Sequence, residues 1–172
     1  MADVPQVPRP SQLWKQLPHE RKLQAADAFW QDDNAAIEQA EAVAAIAQRI
    51  KFRAKSVLTM PREKKARQLA ALPAVSELVA ARLLVAYHLD QHRPMMGSFL
   101  DALGIPHDNG LIADEDVTPP PPDRIGEAAR AIAGSYPPGD VAMYLSTLIW
   151  QDPETWGALA DVPESRVPTQ TA

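Results

Sequence analysis

The chain has 172 residues, 46% of them hydrophobic, with 17 Lys and Arg against 22 Asp and Glu, and no cysteine. This content supplies the core of one ordinary domain and excludes a wholly disordered chain, while the missing cysteine excludes disulfides, thiolate zinc sites and cysteine nucleophiles. An acid and three prolines stand in the first ten residues, where an export signal needs a basic start and an apolar run, and no uninterrupted apolar run, 83–87 included, approaches the ~20 residues a membrane span requires, so a cytoplasmic address without membrane contact is expected.

The 29 alanines against seven glycines, with no alternating apolar stretch, favour helix throughout and predict no strand. Helices are predicted at 11–16, 18–31, 34–55, 61–72, 74–92, 95–103, 124–135, 139–151 and 154–159. Pro18, Pro61, Pro73, Pro94 and Pro153 mark starts, because the first turn has no use for the N–H that proline lacks. Asp152 is a candidate N-cap for the last helix. In the third helix Ala36, Ala40, Val43, Ala47 and Ile50 step by four and three and predict a core face of mostly small residues. In the fifth, Leu78, Val79, Leu83, Val85, Ala86 and Leu89 point several ways and predict a helix surrounded by neighbours.

Between Gly104, a natural helix stop, and Asp123 lies a long loop. It carries an Asp108-Asn109-Gly110 turn, the acids Asp114, Glu115 and Asp116, and four consecutive prolines, Pro119 to Pro122, which read as a stiff spacer. The sequences 29–32 and 149–152 echo each other, with a Trp near a helix end and an Asp at the next start, but four residues do not establish a repeat. The fold class is therefore all-α, a compact bundle of about eight or nine helices with a long acidic, proline-rich loop between its N-terminal and C-terminal parts. Residues 11–162 are expected to form one helical domain, with 105–122 offering a subdivision into 11–104 and 123–162, and with disordered tails at 1–10 and 163–172.

Charge is distributed unevenly. Residues 49–67 hold eight basic side chains and one acid, whereas 101–172 hold twelve acids and three arginines. Such a basic segment draws phosphates or acidic proteins, and Arg49, Lys51, Arg53, Lys55, Lys64, Lys65 and Arg67 are the candidate binding residues, with Phe52 placed to stack among them. The low sequence pI of about 5.3 weighs against a dedicated nucleic-acid binder.

His88 and His92 have the i, i+4 spacing that a metal held by one helix requires. The residue after His88 is Leu89, not the Glu a metalloprotease needs, and a third ligand would have to come from His107, Asp108 or the acids 114–116. Two histidines favouring the negative end of the helix dipole is the simpler account. The loop lacks the calcium-loop spacing, Pro119 to Arg124 matches a proline-rich ligand only in outline, and no glycine-rich phosphate loop or nucleophile elbow occurs. A non-enzymatic helical protein-interaction module without a cofactor is therefore expected, its partner another protein or the chain itself. The alternatives are a nucleic-acid or other polyanion binder using 49–67, and a metal-dependent enzyme around His88 and His92.

Overall fold

The structure, a computed structural model, describes residues 7–113 and 117–166 and is all-α, as the composition predicts. The described residues form ten α-helices, two 3₁₀ turns and one two-stranded hairpin. They divide into two units, one of Arg9–Asp90 and the other starting at Gln91 and including Pro8. No helix among them is long and apolar enough to cross a membrane.

The first unit carries α1 (Pro10–Gln16), α2 (His19–Gln31), α3 (Ala36–Ile50), α4 (Ala54–Leu58), α5 (Arg62–Ala70) and α6 (Glu77–Gln91). Pro18 and Pro61 stand immediately before α2 and α5. Pro73 does not start α6: that helix begins at Glu77, where Ser76 Oγ accepts the Val79 N–H at 3.2 Å. Helix α2 packs along α5, and the small residues Ala25 and Ala26 on one and Ala66 and Ala70 on the other are buried beside Phe29 and Leu69. Small side chains at a helix contact let two backbones approach closely.

Two sequence expectations for α3 need correction. Its buried face is Ala42, Val43, Ile46 and Ala47, whereas Ala36 and Ala40 are exposed. The cause is Gln39, whose Nε2 donates to the carbonyls of Phe29 (2.8 Å) and Asp32 (2.9 Å) and so satisfies the end of α2. A polar residue takes an inward position because it closes open carbonyls, and a pattern of apolar residues cannot register that. The helix also stops at Ile50, not at 55. Lys51 adopts a left-handed conformation (φ 58°, ψ 39°), and the N–H groups of Lys51 and Phe52 both return to the Ala47 carbonyl. The chain then restarts as α4.

The turn after α2 is held by α6. Arg82 donates to the Asn34 carbonyl at 2.6 Å and lies 3.7 Å from Asp32 and 3.9 Å from Glu38. Along α6, Val79, Ala80, Leu83, Leu84, Ala86, Tyr87 and His88 are buried, a broad face but not the whole circumference that the apolar pattern predicts. Leu78 is 51% exposed, and Val85 and Leu89 are half-buried.

The second unit carries α7 (Arg93–Leu103), β1 (His107–Asp108), β2 (Leu111–Ile112), α8 (Pro122–Ala133), α9 (Pro138–Gln151) and α10 (Pro153–Trp156), followed by 3₁₀ turns at Gly157–Asp161 and Pro163–Ser165. The division between the units thus falls at the α6–α7 junction. Pro122, last of the proline run, is already in the first turn of α8. Residues Asp140 to Ile149 of α9 are all buried, and α8, α10 and both 3₁₀ turns pack against α9. The second of these turns lies in the segment expected to be a disordered tail. Ser165 is buried, its carbonyl accepts from Ser146 Oγ (3.2 Å) and its Oγ donates to the Val162 carbonyl (2.8 Å). Residues 1–6 and 167–172 lie outside the described residues.

Gly104 ends α7 in the left-handed region (φ 67°), as its position predicts. The Asp108-Asn109-Gly110 turn is also present, but it closes a small antiparallel hairpin that the sequence does not predict, pairing His107 with Ile112 and Asp108 with Leu111. Asn109 (φ 48°) and Gly110 (φ 90°) both take positive φ, which a two-residue hairpin turn requires and which Asn-Gly supplies. The hairpin is fastened to α7. His107 Nε2 meets Asp101 Oδ1 at 2.7 Å, the Gly110 N–H donates to His107 Nδ1 at 3.0 Å, and Arg93 donates to the Asn109 carbonyl at 2.9 Å. Because Nδ1 accepts, Nε2 carries the proton and donates to Asp101.

Asp152 caps α10 as expected: its side chain accepts from Thr155 N (3.2 Å) and Thr155 Oγ1 (2.6 Å). These bonds, the hydroxyl's first, hold the Asp152 carboxyl below the usual aspartate range. A folded-state value below the unfolded one means the cap stabilises above the ordinary aspartate pKa and is lost as pH falls through the lowered value. Asp152→Ala is expected to cost about 1 kcal/mol at neutral pH, and its urea midpoint to converge with that of the unsubstituted chain in acid.

Candidate binding surface

The basic segment starts in the last turn of α3 with Arg49, crosses the left-handed Lys51, and reaches Arg53, which immediately precedes α4. Lys55 lies on α4, and Arg62, Lys64, Lys65 and Arg67 lie on α5. Since α3 contacts both α4 and α5, the segment decorates three adjoining elements of one unit. Helix α4 is anchored by Val57 alone, its one buried residue. Residues 51–56, 58, 59 and 61–64 are exposed.

Two of the basic side chains have partners. Arg62 pairs with Asp27 at 2.9 Å, and Lys65, half-buried, places Nζ 4.9 Å from the centre of the Trp30 ring, a distance at which the ring face attracts a cation. The other six, Arg49, Lys51, Arg53, Lys55, Lys64 and Arg67, are exposed, and none forms an ion pair with any described residue. Asp27 is paired with Arg62, and Asp32 and Glu38 with Arg82, while Glu63, the one acid within the segment, is exposed on α5. Among the free cations stand two apolar side chains, Phe52 at 53% and Leu58 at 57% exposure. Charged groups that receive carboxylates or phosphates therefore lie beside apolar groups that anchor a hydrophobic side chain. The unit Arg9–Asp90 holds 13 Lys and Arg against nine Asp and Glu, a net charge of +4, inside a chain of net charge −5.

The residues considered for a metal are not assembled. His88 stands in the last turn of α6, as expected, but is buried there, its ring 5.7 Å from that of Tyr87. Helix α6 ends at Gln91, one residue before His92. His92 precedes α7 and lies 3.6 Å from Asp140. The helical face that would align the two imidazoles therefore does not reach His92. His107 is held by Asp101 and Gly110, and Asp108 is exposed on the hairpin; Asp114, Glu115 and Asp116 lie outside the described residues. Among the described residues no group of three His, Asp or Glu side chains could hold a metal ion. Two surface clefts, of about 330 Å³ beside Pro106 and Pro119 and about 290 Å³ beside Trp14 and Lys22, are lined by no histidine and no carboxylate.

The basic run is legible in the sequence, whereas its exposure, its lack of partners and the two apolar side chains beside it emerge only from the fold. The echoed tryptophans part company. Trp30 lies half-buried under Lys65, while Trp150 is 43% exposed and donates from Nε1 to the Pro8 carbonyl at 2.7 Å. Compared with known protein families, curated proteins and solved structures, the chain matches none.

Proposed function

We propose that this chain is a non-enzymatic helical interaction module of the cytoplasm, which docks the acidic surface of a partner protein through Arg49, Lys51, Arg53, Lys55, Lys64 and Arg67. One observation supports the reading: six exposed cations that form no ion pair with any described residue lie in the same segment as the exposed Phe52 and Leu58. Arginine and aromatic side chains concentrate binding energy at protein interfaces, and flanking charges set approach rate and orientation. Leu58 favours a protein over a nucleic acid, because an aliphatic side chain anchors apolar groups and offers no stacking face to a base. The net charge of −5 also opposes a long phosphate polymer more than a local acidic patch.

The test compares two peptides of equal negative charge, one of Glu and Gly and one of Glu with Leu and Phe, alongside a DNA duplex, by fluorescence anisotropy. The peptide with apolar side chains is expected to bind tightest, and the variant Arg53→Glu/Lys55→Glu/Lys64→Glu/Arg67→Glu to bind it at least about tenfold more weakly with an unchanged helical circular dichroism spectrum. Tighter DNA binding with affinity falling steeply from about 50 to about 200 mM salt would establish the polyanion reading instead. Peptide affinity indifferent to the four reversals would remove the surface from consideration.

A further inference from the structure

The unit that starts at Gln91 is the electrostatic opposite of the first. Its portion of the chain, counted with the eight amino-terminal residues, holds 13 Asp and Glu against four Lys and Arg, a net charge of −9 beside the +4 of Arg9–Asp90. Within this unit the hairpin of β1 and β2 is exposed and held by several side-chain bonds. Asp101, His107, Gly110 and Arg93 fasten it to α7, and Gly110 packs so closely that a Cβ there would sit 2.9 Å from the Met96 Cβ. It presents Asp108 and Leu111, which face each other across the ladder. Asp108 is exposed, Leu111 is 51% exposed, and the Asp101 side chain behind them is 75% exposed.

Resting on the docking reading above, we propose that the acidic partner is a second copy of this chain, whose hairpin, with Asp108 and Leu111 at its face and Asp101 beside it, seats on the basic surface around Phe52 and Leu58. The match is twofold: Asp108 and Asp101 meet cations of the basic surface, and Leu111 meets the two exposed apolar side chains. Because the hairpin already has its bound shape, no loop needs to be ordered on docking, and rigid groups lose less freedom when they associate. The two surfaces differ, so the contact is heterologous: each copy offers one of each, and association continues head to tail into larger species unless the rotation closes a ring.

Sedimentation velocity of the full chain at micromolar concentration and low salt is expected to show species larger than a monomer that grow with concentration and dissociate as salt rises. Two variants locate the contact. One reverses the basic surface (Arg53→Glu/Lys55→Glu); the other alters the hairpin face (Asp108→Lys/Leu111→Ser). Each alone is expected to be monomeric. Mixed, they leave one intact hairpin and one intact basic surface, and a one-to-one dimer that grows no further is expected. An oligomer that persists in both variants, or a mixture that stays monomeric, would overturn the contact. A wild-type chain that stays monomeric yet binds the acidic apolar peptide would overturn the second copy while sparing the docking surface. Binding neither itself nor the peptide would overturn both.

Discussion

Phe99→Ala is expected to be among the most destabilising single changes in this chain, lowering the unfolding free energy by about 3–5 kcal/mol. Phe99 is fully buried on α7. Its ring meets Tyr144 of α9 edge-on at 5.8 Å and Trp156 of α10 at 5.6 Å, so one side chain joins α7 to two successive helices that lie much later in the sequence. Removing it withdraws the apolar surface and leaves a cavity that rigid neighbours cannot close, and each of those losses adds to the cost. Urea unfolding followed by tryptophan emission measures the loss. A second readout checks the cause. Burial holds the Tyr144 phenol far above its ordinary value, so water entering the cavity should let it ionise nearer the usual ~10, visible in an alkaline ultraviolet titration. A loss under about 1 kcal/mol would mean that the neighbours collapse into the space.

Gly110→Val should be similarly severe, but local in origin. At φ 90° an L side chain is strained wherever it points, a cost of about 1–3 kcal/mol. A Cβ would also meet the Met96 Cβ at 2.9 Å and the Arg93 carbonyl at 3.1 Å. Neither can yield cheaply, since one begins a buried side chain and the other is helix backbone, and overpacking of this kind adds about 1–3 kcal/mol. The chain is expected to relieve the clash by lifting the hairpin off α7, which breaks the bond from the Gly110 N–H to His107. Hydrogen exchange at residues 107–112 should then accelerate while α9 stays protected. Asn109→Gly is the control: it keeps the turn conformation and should leave exchange nearly unchanged. Equal protection in both variants would show that the hairpin does not depend on the close approach at position 110.

Most of the helices are legible in the sequence because their causes are local. Alanine-rich periodicity, prolines at first turns, Gly104 and the Asp152 cap act within a few residues of themselves. The misreadings have distant or unmarked causes. Gln39 faces inward to satisfy carbonyls of the preceding helix, and Arg82 reaches across from α6 to hold a turn 48 residues earlier, neither of which an apolar pattern records. The break after Ile50 has no glycine or proline to announce it. His92 keeps the spacing of a metal pair but loses the geometry, because the helix stops one residue short of it. The basic surface is intermediate. Its charge could be counted beforehand, whereas the exposure of six cations without an ion pair to any described residue depends on tertiary placement.

The left-handed turn at Lys51 bears on attempts to make this protein more robust. A lysine in that conformation costs roughly 1 kcal/mol that a glycine would not incur, so a thermostability design scanning the backbone would select Lys51→Gly early. The same exchange removes a positive charge from beside Phe52. Improvement in heat tolerance and the proposed docking therefore pull in opposite directions at this residue, and engineering for one should be checked against the other there first.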